Sequence, residues 1–275
     1  MHRFTSVLLF MLSGILPLQT LAQQDTESWD TYIASYENGI PGSVTLRMDL
    51  VNQVPVSKYP YVLLTGILYE TSRDDGFPEQ STFKLFSKLS DDLKKVIDAQ
   101  TENLSVGTFT HNKERLEYYY LADTVGLRAR LETMYETLYK GQSPYLGIEP
   151  DPNWEHYLEF LYPNQETIDY MMDQRVVWQL ESKGDKLTTE RRVDHWMYFP
   201  TEKDLKACQA AVEAMGFNLE SAGKIEDSDW PYGLWVWHES AVELNTIYSI
   251  TSKLRELAKT HNGEYDGWET LVVDK

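Results

Sequence analysis

The sequence predicts an α+β protein that consists of two tandem βαββαβ units. One order of strand-like and helix-like segments occurs twice along the chain, and turn-forming residues separate the segments. The chain has 275 residues, of which 42% are hydrophobic and 13% aromatic, which suffices for two ordinary cores. Four antiparallel strands with two helices on one face form the ferredoxin-like arrangement. We therefore expect two ferredoxin-like sandwich domains, the first with an extra N-terminal β-hairpin.

The first predicted domain spans residues 25–163. Alternating apolar residues at 29–36 and 43–51 predict the added hairpin, which turns across the Gly-Ile-Pro-Gly segment at 39–42. The βαββαβ order comes after this hairpin. Its segments are a strand at 61–69, a helix at 82–100, a hairpin of strands at 104–110 and 116–121, a helix at 124–139, and closing strand material at 145–148 and 157–160.

The second predicted domain spans residues 164–275 and repeats the same order after a linking helix at 166–183. Thr201 and Asp204 have the spacing of a capping box at the start of its first helix, and Gly216 is suited to follow that helix's end. The segments are strands at 192–199, 218–225 and 234–238, a helix that Thr201 opens and Gly216 follows, a second helix with its apolar face at 247–258 that stops at Asn262-Gly263, and a last strand at 265–273.

The N-terminus has the pattern of a secretory signal peptide. A basic start precedes an apolar run at 7–18, and Thr20 and Ala22 place small residues at the positions that signal peptidase recognises. The run is shorter than the ~20 residues that a membrane-spanning helix needs, and Pro17 interrupts it. We expect residues 1–22 to be removed and the mature chain to be exported, to the periplasm or the exterior of a bacterium, without a membrane span.

Charge and cysteine content limit the classes of partner. The formal net charge is −18, and such a field repels the phosphates of nucleic acids, so direct nucleic-acid binding is disfavoured. A basic protein partner is compatible with this charge. The single cysteine, Cys208, cannot form a disulfide within the chain, and its position in a helical apolar pattern favours a small buried residue over a nucleophile.

Two stretches of the chain resemble known families. The segments VDHWMYFPTEKDLKACQAAVEAMGF at 193–217 and NGEYDGWET at 262–270 resemble the RraB family, the regulators of ribonuclease E activity. The segments WDTYIASYENGIPGSVTLRMDL, KYPYVLLTG and PDPNWEHYLEFLYP resemble domain of unknown function 695. The RraB resemblance implies a ferredoxin-like fold and regulation by binding to a protein. Because ribonuclease E is cytoplasmic and this chain carries a predicted signal peptide, we do not expect ribonuclease E to be its partner.

The second domain is expected to present an aromatic surface. Side chains alternate between the two faces of a strand. In the predicted strand at 192–199, Asp194, Trp196 and Tyr198 alternate with residues that suit the helix side. In the predicted strand at 234–238, Trp235 and Trp237 alternate with such residues in the same way. We predict that these five residues, joined by Trp268, form a binding site on the sheet face without helices. The alternative is that the other domain or the linking helix covers this face.

Other candidate constellations have structural explanations. His195 and His238 are expected on one face of neighbouring strands, where a histidine pair could hold a metal but is more often part of a core. Asp151, Glu155 and His156 could form an acidic and metal-ligating cluster, but turn residues explain them equally well. No nucleophile, phosphate-binding or zinc motif occurs in a suitable context. We predict no catalytic residues, no metal and no cofactor.

Three functions remain open from the sequence. The first is an exported, non-catalytic regulatory protein that binds an unidentified protein partner through the aromatic face. The second is a small-ligand or glycan-binding module in which the tryptophans stack on the ligand. The third is an enzyme with an unrecognised site between the two domains. Exposure of Trp196, Trp235 and Trp237 is expected for the first two functions, whereas the third requires a cleft with a perturbed acid or base.

Overall fold

A computed structural model describes residues 27–36, 39–226 and 228–273. These residues form two antiparallel β-sheets and five α-helices, so the predicted α+β class is confirmed. The predicted signal peptide at residues 1–22 lies outside the described residues. In the three described ranges, no helix has both the length and the apolar character that crossing a lipid bilayer requires.

The first sheet has six strands in the order β1-β2-β4-β5-β3-β6. The strands are β1 (Trp29–Ser35), β2 (Pro41–Arg47), β3 (Tyr61–Leu68), β4 (Asn103–His111), β5 (Glu114–Leu121) and β6 (Ser143–Pro150). The hairpin of β1 and β2 extends the sheet beside β4, as the sequence predicts. Two helices, α1 (Phe83–Asp98) and α2 (Leu127–Leu138), make the crossover connections of this unit.

The second sheet has four strands in the order β10-β7-β9-β8. The strands are β7 (Arg191–Phe199), β8 (Asn218–Lys224), β9 (Tyr232–Ser240) and β10 (Glu264–Thr270), and the helices are α3 (Gln165–Ser182), α4 (Glu202–Ala214) and α5 (Leu244–Thr260). Within this unit, β7 is the first strand along the chain, β8 the second, β9 the third and β10 the fourth. Read from the β8 edge, the spatial order is therefore second, third, first and fourth. The strands β4, β5, β3 and β6 have this same order, so the two units share one strand arrangement.

The helices form where apolar spacing and capping residues agree. In α1, the residues Phe86, Leu89, Leu93 and Ile97 recur every three or four positions, and all four are buried against the first sheet. Helix α4 begins after Thr201, whose hydroxyl accepts the backbone N–H of Asp204 at 3.2 Å. The apolar stripe of each helix therefore packs against one face of its sheet and determines how the layers of each unit stack.

The segment at 157–160 is the main error of the sequence prediction, because it forms a π-helical turn (His156–Leu161) and not a strand. The side chain of Asp151 accepts the backbone N–H groups of Glu155 and His156, at 2.8 and 3.0 Å, and this closes the chain into a helical turn. Leu161, with Trp154 and Tyr157, then packs into the sheet face opposite α1 and α2. Both faces of the first sheet are consequently covered.

Helix α3 connects the cores of the two units. Its residue Met171 packs with the hairpin side of the first sheet. Val177 and Leu180, further along the helix, pack in the second unit. Arg175 also forms an ion pair with Asp30 of β1. The predicted linking helix therefore contacts both units. In the second unit, it packs beside α5.

Candidate functional site

The second sheet separates its side chains into a core face and an aromatic face. On β7, the buried residues Val193, His195, Met197 and Phe199 point toward the helices. Asp194, Trp196 and Tyr198 alternate with them and are partly exposed, and so are Trp235 and Trp237 of β9. We call these five residues the aromatic face. The period of two in a β-strand is sufficient to place them together.

The aromatic face is held by contacts between its own side chains. Trp196 and Trp235 are opposite each other in the register of β7 and β9, and their rings stack with centroids 5.4 Å apart. The indole N–H of Trp235 donates to Asp194 at 2.9 Å. Arg192 stacks over the ring of Trp237 at 4.7 Å from its centroid. Such pairing fixes the rings before a ligand arrives, which lowers the entropy lost on binding.

A shallow depression of about 350 Å³ lies beside the stacked tryptophans. Trp196, Tyr198 and Trp235 form one side of it, and the facing glycines Gly223 of β8 and Gly233 of β9 form its floor. A Cβ atom at Gly233 would lie 2.7 Å from the Ile225 side chain, whereas a Cβ at Gly223 would meet nothing within 4 Å. Gly223 thus leaves an open space beside the aromatic rings, whereas the Ile225 side chain occupies the space over Gly233.

No element in the described residues covers the aromatic face. Helix α3 reaches the second unit through Val177 and Leu180, which share a cluster with Val193 of the core face. The first unit contacts α3 through Met171, on the side of its own hairpin. The linking helix therefore packs on the core-face side, and Trp196, Trp235 and Trp237 remain partly exposed. The binding role of the aromatic face stays a prediction.

Trp268 does not belong to the aromatic face, contrary to the sequence prediction. It is 7% exposed, lies opposite His195 in the sheet, and packs with the core cluster of α3 and α5. Its indole N–H donates to Asp173 at 3.0 Å. The cause is a bulge between Tyr265 and Gly267, which changes the alternation of β10 by one residue.

Asp173 is a buried charged residue that the sequence analysis did not identify. It accepts two hydrogen bonds from Arg255 of α5, at 2.9 and 3.0 Å, and one from Thr251 at 2.5 Å. The carboxylate also receives the Trp268 indole, so α3, α5 and β10 meet at one side chain. The pairing satisfies a charge that is only 1% exposed. A structural role is sufficient to explain this network.

The core face contains a row of three hydrogen-bonded side chains. The Tyr265 hydroxyl lies 2.8 Å from Nδ1 of His195, and Nε2 of His195 lies 3.1 Å from Nδ1 of His238. Burial, with smaller effects of His238 and Arg255, lowers the pKa of His195 to about 3, and burial also lowers the pKa of His238. Both imidazoles are therefore neutral at pH 7.

The tautomers of this row follow from its hydrogen bonds. In the part of the chain that the structure describes, the Tyr265 hydroxyl contacts no acceptor other than His195. If this hydroxyl donates, His195 carries its proton on Nε2 and donates to His238, which then carries its proton on Nε2. That last nitrogen is buried and has no partner among the described residues. In residues 27–36, 39–226 and 228–273, no three His, Cys, Asp or Glu side chains converge as metal ligands.

Asp151 and His156 of the first unit form part of the turn described above. The carboxylate of Asp151, 5% exposed, accepts the Tyr120 hydroxyl at 2.5 Å and faces Nδ1 of His156 at 3.1 Å. Burial acts to raise the pKa of Asp151, but the hydrogen bonds from Tyr120 and from the backbone hold this pKa below its usual value. Trp154 stacks on Tyr120 with centroids 3.7 Å apart. Asp151 therefore acts as the cap of the turn.

Comparisons with known proteins divide the chain in the same way as its two sheets. Residues 171–270 match the family model described as regulator of ribonuclease activity B, and residues 27–162 match a family of unknown function, DUF695. The predicted resemblances of both domains are thus confirmed. No curated protein matches the chain. The crystal structure of an unknown protein from Galdieria sulphuraria is matched over 78% of this chain and 99% of its own, at 10% identity and a TM-score of 0.21.

Proposed function

We propose that this chain, whose first domain resembles DUF695 and whose second domain resembles RraB, is an exported, non-catalytic regulatory protein that binds a protein partner through the aromatic face. The observation that carries the proposal is the position of Trp196, Trp235 and Trp237 on a sheet face that no described element covers. Tryptophan and tyrosine contribute most to the binding energy of protein interfaces, at about 2 kcal/mol or more where they are hot spots.

Both domains are proposed to be ferredoxin-like. The strand order that the two units share, with antiparallel neighbours throughout, supports this assignment. The two sheets nevertheless differ in exposure. In the first unit, the hairpin side is covered by the turn around Trp154, whereas the equivalent face of the second unit stays open. The second domain is therefore the one proposed to bind.

The location of the protein separates it from ribonuclease E. The apolar run at 7–18 and the small residues before Gln23 support export and cleavage after Ala22. N-terminal sequencing of the protein from a cell-envelope fraction is expected to start at Gln23. Purified ribonuclease E is expected not to bind the mature protein, and specific binding at physiological salt would overturn this exclusion.

The binding role is tested by affinity capture from the cell envelope. The variant Trp196→Ala/Trp235→Ala is compared with Trp178→Ala, which removes an indole from α3 that is 53% exposed and lies outside the aromatic face. We expect the double variant to recover about tenfold less of a discrete partner protein, with the control unchanged. Equal recovery by all three proteins, with intact thermal unfolding, would refute the proposed function.

The depression beside Trp235 favours a second candidate, a glycan-binding module. Stacked indoles next to a space of about 350 Å³ can also hold one sugar ring. Titration with short oligosaccharides, followed by tryptophan fluorescence, separates the two functions. A saturable change that Trp235→Ala removes would favour the glycan, and its absence is expected for a protein partner.

A further inference from the structure

The strand β8 is an unpaired edge that lies next to the aromatic face. It is the last strand of the order β10-β7-β9-β8, and all seven of its residues are exposed. An edge strand presents free backbone N–H and C=O groups with which an extended peptide can pair. A bulge between Leu219 and Ser221 interrupts the first part of β8. The regular part, Ser221–Lys224, forms the border of the depression.

The surroundings of the aromatic face are acidic. Glu264, Asp266 and Glu269 of β10 are exposed on one side, and Glu220 of β8 lies on the other. Arg192 is already neutralised by Asp194 and Glu220, at 2.6 and 2.8 Å. Lys224 borders the depression, and its pairing with Tyr232 places its Cβ on the opposite face of the sheet. With a formal net charge of −18, the field here attracts cations.

Arg192 shows how a cationic side chain fits this surface. Its guanidinium lies over the Trp237 ring at 4.7 Å, while Asp194 accepts its N–H groups. The depression beside Trp196, Trp235 and Tyr198 offers a second position with aromatic walls, and it is open above Gly223. Its volume of about 350 Å³ accommodates one long side chain. Arginine and lysine are attracted to the faces of such rings.

We propose that β8 pairs with an extended, arginine- or lysine-rich segment of a partner protein, which places one cationic side chain in the depression. The proposal rests on the proposed function and specifies the chemistry of its partner. Backbone pairing along Ser221–Lys224 supplies affinity, and the aromatic depression with its acidic surroundings supplies selectivity. The segment therefore alternates cationic side chains with residues directed away from the face.

The test uses the mature protein and short peptides with blocked ends. The probe is a hexapeptide that alternates arginine and valine, and binding is measured by calorimetry at two salt concentrations. Two further peptides carry N-methyl groups on one or the other alternate set of residues, and a fourth replaces arginine by glutamate. Since only one alternate set of N–H groups faces β8, we expect one methylated peptide to bind about tenfold more weakly and the other nearly normally.

Protein variants test the depression separately. Gly223→Ile adds a side chain whose Cβ meets no atom within 4 Å and whose outer atoms extend over the depression, and Trp235→Ala removes one wall. Both are expected to weaken the basic peptide about tenfold or more, while Trp178→Ala leaves its affinity unchanged. The affinity should also fall as the salt concentration rises, because exposed charges are screened.

The outcomes distinguish this inference from the proposed function. No binding of the basic peptide, equal binding of the glutamate peptide, or equal binding of both methylated peptides overturns the inference. If these results occur while the Trp196→Ala/Trp235→Ala variant still loses its native partner, the aromatic face remains the binding site for a partner of different chemistry. If that variant keeps its native partner, the proposed function itself fails.

Discussion

The neutral, buried His195 makes the stability of the second domain sensitive to mild acid. His195 is fully buried and bonded to Tyr265 and His238, and burial is the main cause that lowers its pKa to about 3. In the unfolded chain the same imidazole titrates at about 6.5. Below that pH, His195 binds a proton in the unfolded state but stays neutral in the folded state. The free energy of unfolding therefore falls as the pH falls.

The size of this effect follows from proton linkage. Between pH 7 and pH 5, the difference between a pKa of about 6.5 and one of about 3 removes about 2 kcal/mol from the free energy of unfolding. Continued acidification to pH 3 would bring the loss from this one group to about 4 kcal/mol. His238 contributes with the same sign, because burial lowers its pKa as well.

The measurement is chemical denaturation of the mature protein at pH 7, 6 and 5, with His195→Gln as the matched variant. Carboxylates titrate in both proteins, so their contribution cancels in the difference between them. We expect the wild type to lose about 2 kcal/mol more than the variant between pH 7 and pH 5. Parallel pH profiles within about 0.5 kcal/mol would refute the reasoning that His195 stays neutral in the folded state.

Three further predictions concern buried groups. Asp173→Ala removes the carboxylate that accepts Arg255, Thr251 and Trp268 and leaves Arg255 only its longer contact with Asp169, so it should lower the free energy of unfolding by about 3 kcal/mol in urea, whereas a loss below about 1 kcal/mol would contradict the network. Asp151→Ala removes the acceptor of the Tyr120 hydroxyl and should cost about 2 kcal/mol with a changed near-ultraviolet circular dichroism spectrum; an unchanged spectrum and stability would argue against the cap. Cys208 is fully buried and burial raises its pKa to about 12, so a thiol reagent at pH 8 should label it only after unfolding, and rapid labelling of the native protein would show that the thiol is accessible.

The positions of most elements could be predicted because they depend on local patterns. Apolar spacing predicts a helix at 82–100, and the structure has α1 at Phe83–Asp98. Alternation predicts a strand at 192–199, and β7 covers Arg191–Phe199. Short-range periodicity is sufficient for such elements, and it also placed Trp196 and Trp235 on one sheet face. Amphipathic patterns thus determined the layers and most of the candidate site.

The errors arise where one residue changes the alternation of side chains along an element, or where a charged residue is buried. The bulge in β10 turned Trp268 to the core face, and no pattern in the sequence indicates such a bulge. The side chain of Asp151 closes a π-helical turn at a segment whose apolar alternation resembles a strand. Asp173 looks like a surface residue of a helix, because only tertiary structure brings Arg255 to it. Long-range partners of this kind are not encoded in local periodicity.

The most direct test of the account is site-specific photo-crosslinking in the cell envelope. A photoreactive phenylalanine is introduced at position 196 or 235 of the aromatic face, and at position 178 of α3 as the control. We predict a covalent adduct with one discrete protein from positions 196 and 235 and none from position 178. No adduct from the aromatic face, or the same adduct from all three positions, would contradict the claim that this face binds the partner.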